Sequence, residues 1–167
     1  MVGFSLFLHF GLFDLLAAFW RSKGIPVEKL FSNPWRSTSL TDFWSNRWNR
    51  SFSEFARSMI FRPLARRWGT GWATLAVFTF SGMIHEMMIS VPARGGYGGP
   101  LVYFVMNGLA VWMEAESGWR KLTQRWPVLG RIWAMTLVIA PLSLLFHALF
   151  QTRVVLPFLN ALDATAE

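Results

Sequence analysis

Long apolar blocks organise this chain of 167 residues, and apolar and polar positions alternate over only short stretches. The first block covers residues 3–20 and is interrupted only by His9 and Asp14. The second covers residues 72–91, close to the roughly 20 residues that cross the hydrocarbon core of a bilayer. Blocks of this length predict membrane helices and argue against the half-buried helices of a soluble domain.

Two further blocks follow, at residues 98–113 and 132–150, and the second of them contains Pro141 and His147. Proline is tolerated in a membrane helix because neighbouring helices satisfy the carbonyl that it frees. A short apolar tail at 154–162 is expected in the membrane interface. The pattern therefore predicts an all-α integral membrane protein with about four transmembrane helices, forming a single membrane domain over residues 1–167.

An amphipathic pattern fills part of the segment between the first two blocks. Ser39 is followed three residues later by Asp42, a variant of the capping pattern at helix N-termini. Aromatic and apolar residues then recur at helical spacing: Trp44, Trp48, Phe52, Phe55 and Met59. Arginines recur at the same spacing on another face. The pattern predicts one helix that lies in the membrane interface, with Pro63 bending the chain beyond it. A cytoplasmic helix that covers the end of the bundle is the alternative.

Composition strengthens the membrane interpretation, because 53% of the residues are hydrophobic and only 15% are charged. The first block lacks a basic leading region and a small-residue cleavage site, so we predict a helix there and not a signal peptide. Cysteine is absent, which excludes disulfides, thiolate metal sites and a cysteine nucleophile.

The distribution of positive charge predicts a topology. Of the 16 Lys and Arg residues, ten lie in residues 21–67 and four in residues 120–131. Four crossings place both segments on one face, which the positive-inside rule makes cytoplasmic, and both termini on the other. The net charge of +7 is then explained by topology and contact with anionic lipids, and nucleic-acid binding is not expected.

The strongest chemical signal is Ser81-Gly82-Met83-Ile84-His85-Glu86 inside the second block. Ionisable side chains at membrane depth are costly, so they usually face a protein interior or a polar cavity and often act there. On a helix, Ser81 and Gly82 share the face of His85 and leave room for a substrate or a closely packed helix, whereas Glu86 points about 100° away. His85 can accept a proton near physiological pH. The alternative is that it is a hydrogen-bonded packing residue.

The other two histidines, His9 and His147, each stand alone in an apolar block, and bundle packing is expected for both. A metal or haem site built from the histidines and Glu86 has no short-range ligand spacing to support it, so no metal site is predicted. The glycine-rich stretch at residues 95–99 has neither a preceding strand nor a following lysine, and is interpreted as a flexible connection.

Two segments together resemble a known family. Thr41-Asp42-Phe43-Trp44-Ser45-Asn46-Arg47-Trp48-Asn49 is similar to the aromatic-Arg-Trp-Asn signature of the membrane-bound O-acyltransferase superfamily, in the form of its wax synthase branch. Ser81 to Glu86 is similar to the Ser-Gly-x-x-His-Glu segment of that branch, and Phe61-Arg62-Pro63-Leu64 lies between the two. The resemblance is best over residues 37–119.

The resemblance implies transfer of a fatty acyl group from acyl-CoA, as co-substrate and without a further cofactor, to a lipid alcohol in a membrane-buried tunnel. It implies that His85 is the catalytic base and Asn49 the motif asparagine that orients the thioester. Trp48, Ser81 and Glu86 are expected to contact substrate. Arg47 and Arg50, together with Arg62, are expected to meet the phosphates of coenzyme A or lipid headgroups.

Members of this superfamily have more membrane helices than the four predicted here. We therefore expect the chain to be the C-terminal part of a longer protein that lacks its N-terminal helices, or to act as part of an oligomer. Two alternatives to the acyltransferase remain open. One is a non-catalytic membrane fragment or partner subunit, and the other is a small transporter that uses His85 and Glu86 as a proton relay.

Overall fold

The computed structural model describes residue 19, residues 22–24 and residues 29–164, and over these ranges every regular element is helical. The predicted all-α class is confirmed. The first apolar block at 3–20, with His9, lies outside the described residues apart from Phe19.

The motif segment, residues 40–49, begins as predicted but is not part of one continuous helix. Ser39 Oγ accepts the N–H of Asp42 at 2.9 Å and starts α1 (Leu40–Asp42), which continues as a π-helical turn at Phe43–Arg47. The chain then leaves the helix at Trp48, and Asn49 takes a left-handed conformation with φ 43°. The prediction of a single interfacial helix across this point is wrong.

The reason for the break lies in the preceding loop, which periodicity does not reveal. Arg47 C=O accepts the N–H of Ser32 at 2.9 Å, and Leu30 C=O accepts the N–H of Arg50 at 3.0 Å. These bonds satisfy main-chain groups that a continuous helix would have paired internally. Asparagine is one of the few residues that tolerate the left-handed region, so the break falls at Asn49.

After the break, α2 (Arg50–Ala56), a π-helical turn (Arg57–Phe61) and α3 (Arg62–Trp68) follow without interruption. The helix continues through Pro63, so the predicted bend does not end it. Pro63 lies in the first turn of α3, directly after the π-helical turn, where a missing N–H costs little. The segment ends at Gly69, whose φ of 85° turns the chain into the next helix.

Two antiparallel helices form the centre of the molecule. They are α4 (Thr70–His85), extended by a π-helical turn (Glu86–Ser90) and by α5 (Val91–Ala93), and α6 (Gly99–Glu116). Glycines allow the two to approach closely: a Cβ at Gly108 would lie 2.8 Å from Phe78 Cβ. Among the described residues, the larger buried apolar cluster joins this pair to a later helix and consists of Phe78, Ile89, Tyr103, Phe104 and Leu145.

The remaining elements cover this pair. They are α7 (Trp119–Arg125), α8 (Pro127–Ile139), α9 (Leu142–Leu145), α10 (Ala148–Phe150), a π-helical turn (Gln151–Val155) and α11 (Leu156–Ala164). Leu40 of the motif segment, Ala110 of α6 and Ala134 of α8 form a second buried cluster, against which Trp44 packs.

The glycine-rich connection between α5 and α6 is tightly packed, and the prediction of a flexible connection is wrong. A Cβ at Gly95 would lie 2.7 Å from Leu149 Cδ1, and one at Gly96 would overlap the His147 ring. Gly96 also has φ +75°, which other residues rarely adopt. The glycines therefore let the chain segment around His147 lie directly on this turn.

Two helical segments of the described chain are long and apolar enough to cross a membrane. They are Thr70–Ala93, with 24 residues, and Pro127–Leu145, with 19 residues, and they match the second and fourth predicted blocks. The third block forms α6, which has 18 residues and carries buried Asn107 and Glu114. The count of four crossings, with the topology derived from it, stays a prediction.

Candidate active site

His85 is the last residue of α4, directly before a π-helical turn, and its ring is half-buried. Its Nδ1 lies 2.7 Å from the carbonyl oxygen of Ser81. Because a carbonyl only accepts, Nδ1 carries the hydrogen, and Nε2 is the nitrogen without hydrogen in the neutral ring. The helix that holds His85 therefore also determines which nitrogen can act as a base.

Packing fixes the orientation of the His85 ring further. The ring of Phe104, a buried residue of α6, lies 4.3 Å from the His85 ring between centroids and is tilted by 37°. A Cβ at Gly82 would lie 3.0 Å from Leu101 Cα and 3.3 Å from Phe104 Cβ. Of the two uses foreseen for the small residues beside His85, a substrate or a packed helix, the structure shows the packed helix at Gly82.

Glu86 links the same point of α4 to the start of α6. Its Oε1 accepts the N–H of Leu101 at 3.1 Å, in the first turn of α6, where a negative charge is favourable. The other carboxylate oxygen, Oε2, is buried and has no hydrogen-bond partner in the described part of the chain. A buried oxygen without a donor is costly, so this atom is a point where a donor group of a ligand would be stabilised.

Asn49 acts as the cap of α2. Its Oδ1 accepts the N–H of Phe52 at 3.3 Å, and its carbonyl accepts the N–H of Ser53 at 3.0 Å. Ser53 Oγ in turn donates to the carbonyl of Trp44 at 2.6 Å. The motif asparagine therefore ties the two sides of the helix break together.

The other predicted residues of the motif segment contact their own surroundings. Arg47 Nε donates to Asp42 Oδ2 at 2.6 Å, and its Nη1 reaches the carbonyls of residues 32 and 33 at 3.3 and 3.4 Å. Trp48 lies edge-on to Phe31, with centroids 5.0 Å apart, and stacks on Phe43 at 5.5 Å. The structure thus joins Ser81 to His85 and holds Glu86 against the start of α6, whereas these contacts of Arg47 and Trp48 order the motif segment.

Sequence reasoning missed Asn107, which is fully buried in the middle of α6. Its Oδ1 accepts the indole N–H of Trp44 at 3.2 Å, and its Nδ2 donates to Tyr103 C=O at 2.9 Å. The indole of Trp44 also lies 5.7 Å from the ring of Phe104, between centroids. The signal in the sequence that could have identified Asn107 is that it is a single asparagine inside the apolar block at 98–113.

Glu114 was missed as well, although it is 4% exposed and holds three helices together. Its Oε1 accepts the N–H of Leu40 at 2.8 Å and the indole N–H of Trp133 at 3.0 Å. Its Oε2 accepts the N–H and the hydroxyl of Thr41 at 3.0 and 2.9 Å. Glu114 follows Asn107 by seven residues, which places both on one face of α6.

His147 is held in the opposite tautomer to His85. Its Nδ1 accepts the N–H of Phe150 at 3.1 Å and caps α10, so the hydrogen of the neutral ring is on Nε2. That Nε2 lies 3.5 Å from Ser90 Oγ. These contacts match the packing role expected for His147. Within the described ranges, no three side chains of the types that bind metals converge.

Comparisons with known proteins agree with the motif resemblance. The model of the membrane bound O-acyl transferase family matches residues 27–106, which include the motif segment and His85. The probable long-chain-alcohol O-fatty-acyltransferase 9 of Arabidopsis thaliana is 34% identical over 140 residues, 76% of this chain and 41% of that protein. The long-chain-alcohol O-fatty-acyltransferase of Simmondsia chinensis is 30% identical over 100 residues, 54% of this chain and 28% of that protein.

A relative named for a different acceptor, diacylglycerol O-acyltransferase 1 of Bos taurus, is 38% identical over 68 residues, 40% of this chain and 14% of that protein. The chain thus spans about two fifths of the length of the first of these relatives, and less of the other two. No solved structure matches the chain.

Proposed function

Because this chain belongs to the membrane-bound O-acyl transferase family, we propose that it transfers a fatty acyl group from acyl-CoA to the hydroxyl group of a long-chain alcohol or another lipid acceptor. The observation that carries the proposal is the hydrogen bond from His85 Nδ1 to the Ser81 carbonyl. It leaves Nε2 as the basic nitrogen of a residue inside an apolar helix.

The chemistry needs one base. An alcohol is a weak nucleophile until its proton is removed, and Nε2 of His85 accepts that proton as the alcohol oxygen attacks the thioester carbonyl. The bond between carbon and sulfur then breaks, the new ester is released, and the proton passes from Nε2 to the thiolate of coenzyme A. The Ser81 carbonyl stabilises the ring while it carries both protons, because it accepts a hydrogen bond from Nδ1 throughout.

Two further groups have roles in this proposal. Glu86 Oε2 accepts a hydrogen bond from a donor group of a bound substrate, such as a hydroxyl or a pantetheine amide, which is the partner that this buried oxygen lacks in the described structure. Asn49 Oδ1 accepts the hydrogen bond of the helix cap, so the Nδ2 group is the part of the side chain that donates to the thioester carbonyl as negative charge develops on its oxygen.

Cations of the motif segment, of α2 and of α3 are assigned to anionic groups on the cytoplasmic face. Arg47 forms an ion pair with Asp42, and Arg50 and Arg62 are further candidates for the phosphates of coenzyme A. In this arrangement the protein is a multi-pass membrane protein, membrane lipids surround it, and Trp48 and Ser81 border the substrate.

Substituting His85 tests the proposal directly. In membranes that contain the protein, labelled acyl-CoA and a long-chain alcohol are expected to give ester, and His85→Ala is expected to reduce the rate by roughly 100-fold or more, as for loss of a general base. The measurement is the initial rate of labelled ester formation.

The matched control is His147→Asn, which keeps a capping side chain at the start of α10 and is expected to retain activity. An unchanged rate in His85→Ala would show that the assigned base is wrong. If a broad panel of alcohols gives no ester while the protein stays folded in the membrane, the chain is a non-catalytic subunit or fragment.

A further inference from the structure

The helix α6 contacts both halves of the candidate site. On one side, Leu101 N–H donates to Glu86 and the ring of Phe104 lies against His85. On another, Asn107 and Glu114 accept hydrogen bonds from the motif segment. The position of the motif segment relative to His85 is therefore determined through α6.

Trp44 is the point where these contacts meet. Its indole lies edge-on to Phe78 of α4, with centroids 5.8 Å apart, and 5.7 Å from Phe104 of α6. The same Phe104 ring packs on His85. One aromatic side chain of the motif segment is thus separated from the proposed base by a single ring.

Aromatic contacts alone do not fix how the indole is turned within this pocket, because they tolerate a range of ring angles. The hydrogen bond from Trp44 Nε1 to Asn107 Oδ1 is directional, and Asn107 is itself held by donation to Tyr103 C=O. Asn107 is 0% exposed, so water does not replace Trp44 as its partner without opening the packed interior.

We propose that Asn107 is a positioning residue for the acyl transfer: through Trp44 it holds the motif segment, with Asn49, in a fixed position relative to Phe104 and His85. This inference rests on the proposed function. Glu114 holds the start of the motif segment through Leu40 and Thr41, and Asn107 fixes the position of the segment beside the base.

A cysteine reporter tests whether Asn107 holds the motif segment. The chain has no cysteine, and Ala110 is 6% exposed beneath Leu40 and Trp44, so a thiol in the Ala110→Cys variant is the single labelling site. In that background, Asn107→Leu removes the hydrogen bond and keeps the volume. It is expected to raise the rate of maleimide labelling by about 10-fold, because Trp44 then lacks a buried acceptor.

Trp44→Phe is the second variant, since it removes the indole N–H and leaves Asn107 in place. The double variant Trp44→Phe/Asn107→Leu is expected to label no faster than either single variant, because both partners of the bond are already gone. The matched control is Asn160→Leu, the same replacement at an exposed position of α11, and it is expected to leave labelling unchanged.

Kinetics in the natural background then separate positioning from packing. Asn107→Leu and Trp44→Phe are expected to lower kcat for ester formation by about 10-fold and to leave KM for acyl-CoA within about 2-fold, since all cationic side chains are kept. A purely structural role would lower the amount of folded protein without changing kcat per folded molecule.

Two results would overturn the inference: labelling that does not rise in either single variant, or labelling that rises while kcat stays at the level of the unsubstituted protein. If the unsubstituted protein itself forms no ester, the acyltransferase proposal fails. The labelling rates then still decide between a motif segment held by Asn107 and one held by other contacts alone.

Discussion

A single buried carboxylate, Glu114, shows how much one residue contributes to the position of the motif segment. It accepts four hydrogen bonds, from two main-chain N–H groups and a hydroxyl of α1 and from an indole of α8, and so joins both helices to α6. All four partners are donors, which suits a carboxylate because it only accepts. The charge also lies at the N-terminus of α1, where it is favourable.

Glu114→Gln is expected to destabilise the fold, because the amide nitrogen cannot accept and leaves at least one buried donor unpaired. The expected loss is about 1–3 kcal/mol, measured by thermal or denaturant unfolding in a membrane mimetic. Glu116 lies two residues further along the chain and has an exposed side chain. The matched control, Glu116→Gln, should therefore keep a free energy of unfolding within about 0.5 kcal/mol of that of the unsubstituted protein. Equal stability of the two variants would contradict the role given to Glu114.

Which residues could be predicted depended on how far away their partners lie in the sequence. The Ser39 cap and the His85 segment use partners within four residues, and local spacing identified both. Asn107 and Glu114 bond to partners 63 and 74 residues away, to Trp44 and Leu40. One sequence does not show such pairing, so these residues were identifiable only as polar exceptions in an apolar helix.

At the level of the helices, close approach of α4 and α6 is what brings Phe104 to His85. Gly82 and Gly108 lie at the contact, and each leaves the space that a Cβ would fill. The apolar blocks predicted both helices, but they gave no information on which of them touch. Helical periodicity failed at the motif segment, where bonds to residues 30 and 32 stop a helix that the pattern continues.

Gly108→Leu is expected to separate α4 from α6, because the new Cβ alone would lie 2.8 Å from Phe78 Cβ. Overpacking of this kind should cost about 2 kcal/mol or more in the free energy of unfolding. Gly118→Leu is the matched control, since nothing lies within 4 Å of a Cβ at Gly118. Similar unfolding midpoints for the two variants would show that the two helices do not depend on this contact.

For the molecule as a whole, exposed apolar side chains support a membrane environment. Met87 is 70% exposed on the first long apolar segment, and Ile132 and Ile139 are 59% and 57% exposed on the second. Large apolar side chains that are exposed in this way are stabilised by lipid or by further helices. Composition predicted this property, whereas the number of crossings depends on α6, whose polar residues face the motif segment.

Single cysteines can test the four-crossing topology, because the chain has none of its own. We expect Ser58→Cys and Ser117→Cys to react with a membrane-impermeant maleimide from the cytoplasmic side, and Tyr97→Cys from the opposite side. All three positions are exposed. If Tyr97→Cys and Ser117→Cys react from the same side, α6 does not cross the membrane.

The tautomer of His147 has a consequence for a different reaction, ester hydrolysis. A serine beside a histidine is the usual nucleophile of esterases, in which the ring nitrogen takes the hydroxyl proton. Here the nitrogen 3.5 Å from Ser90 Oγ already carries hydrogen, because the other nitrogen accepts the N–H of Phe150. Ser90 therefore cannot be deprotonated by His147 in this arrangement, and the pair does not form the nucleophile of an esterase.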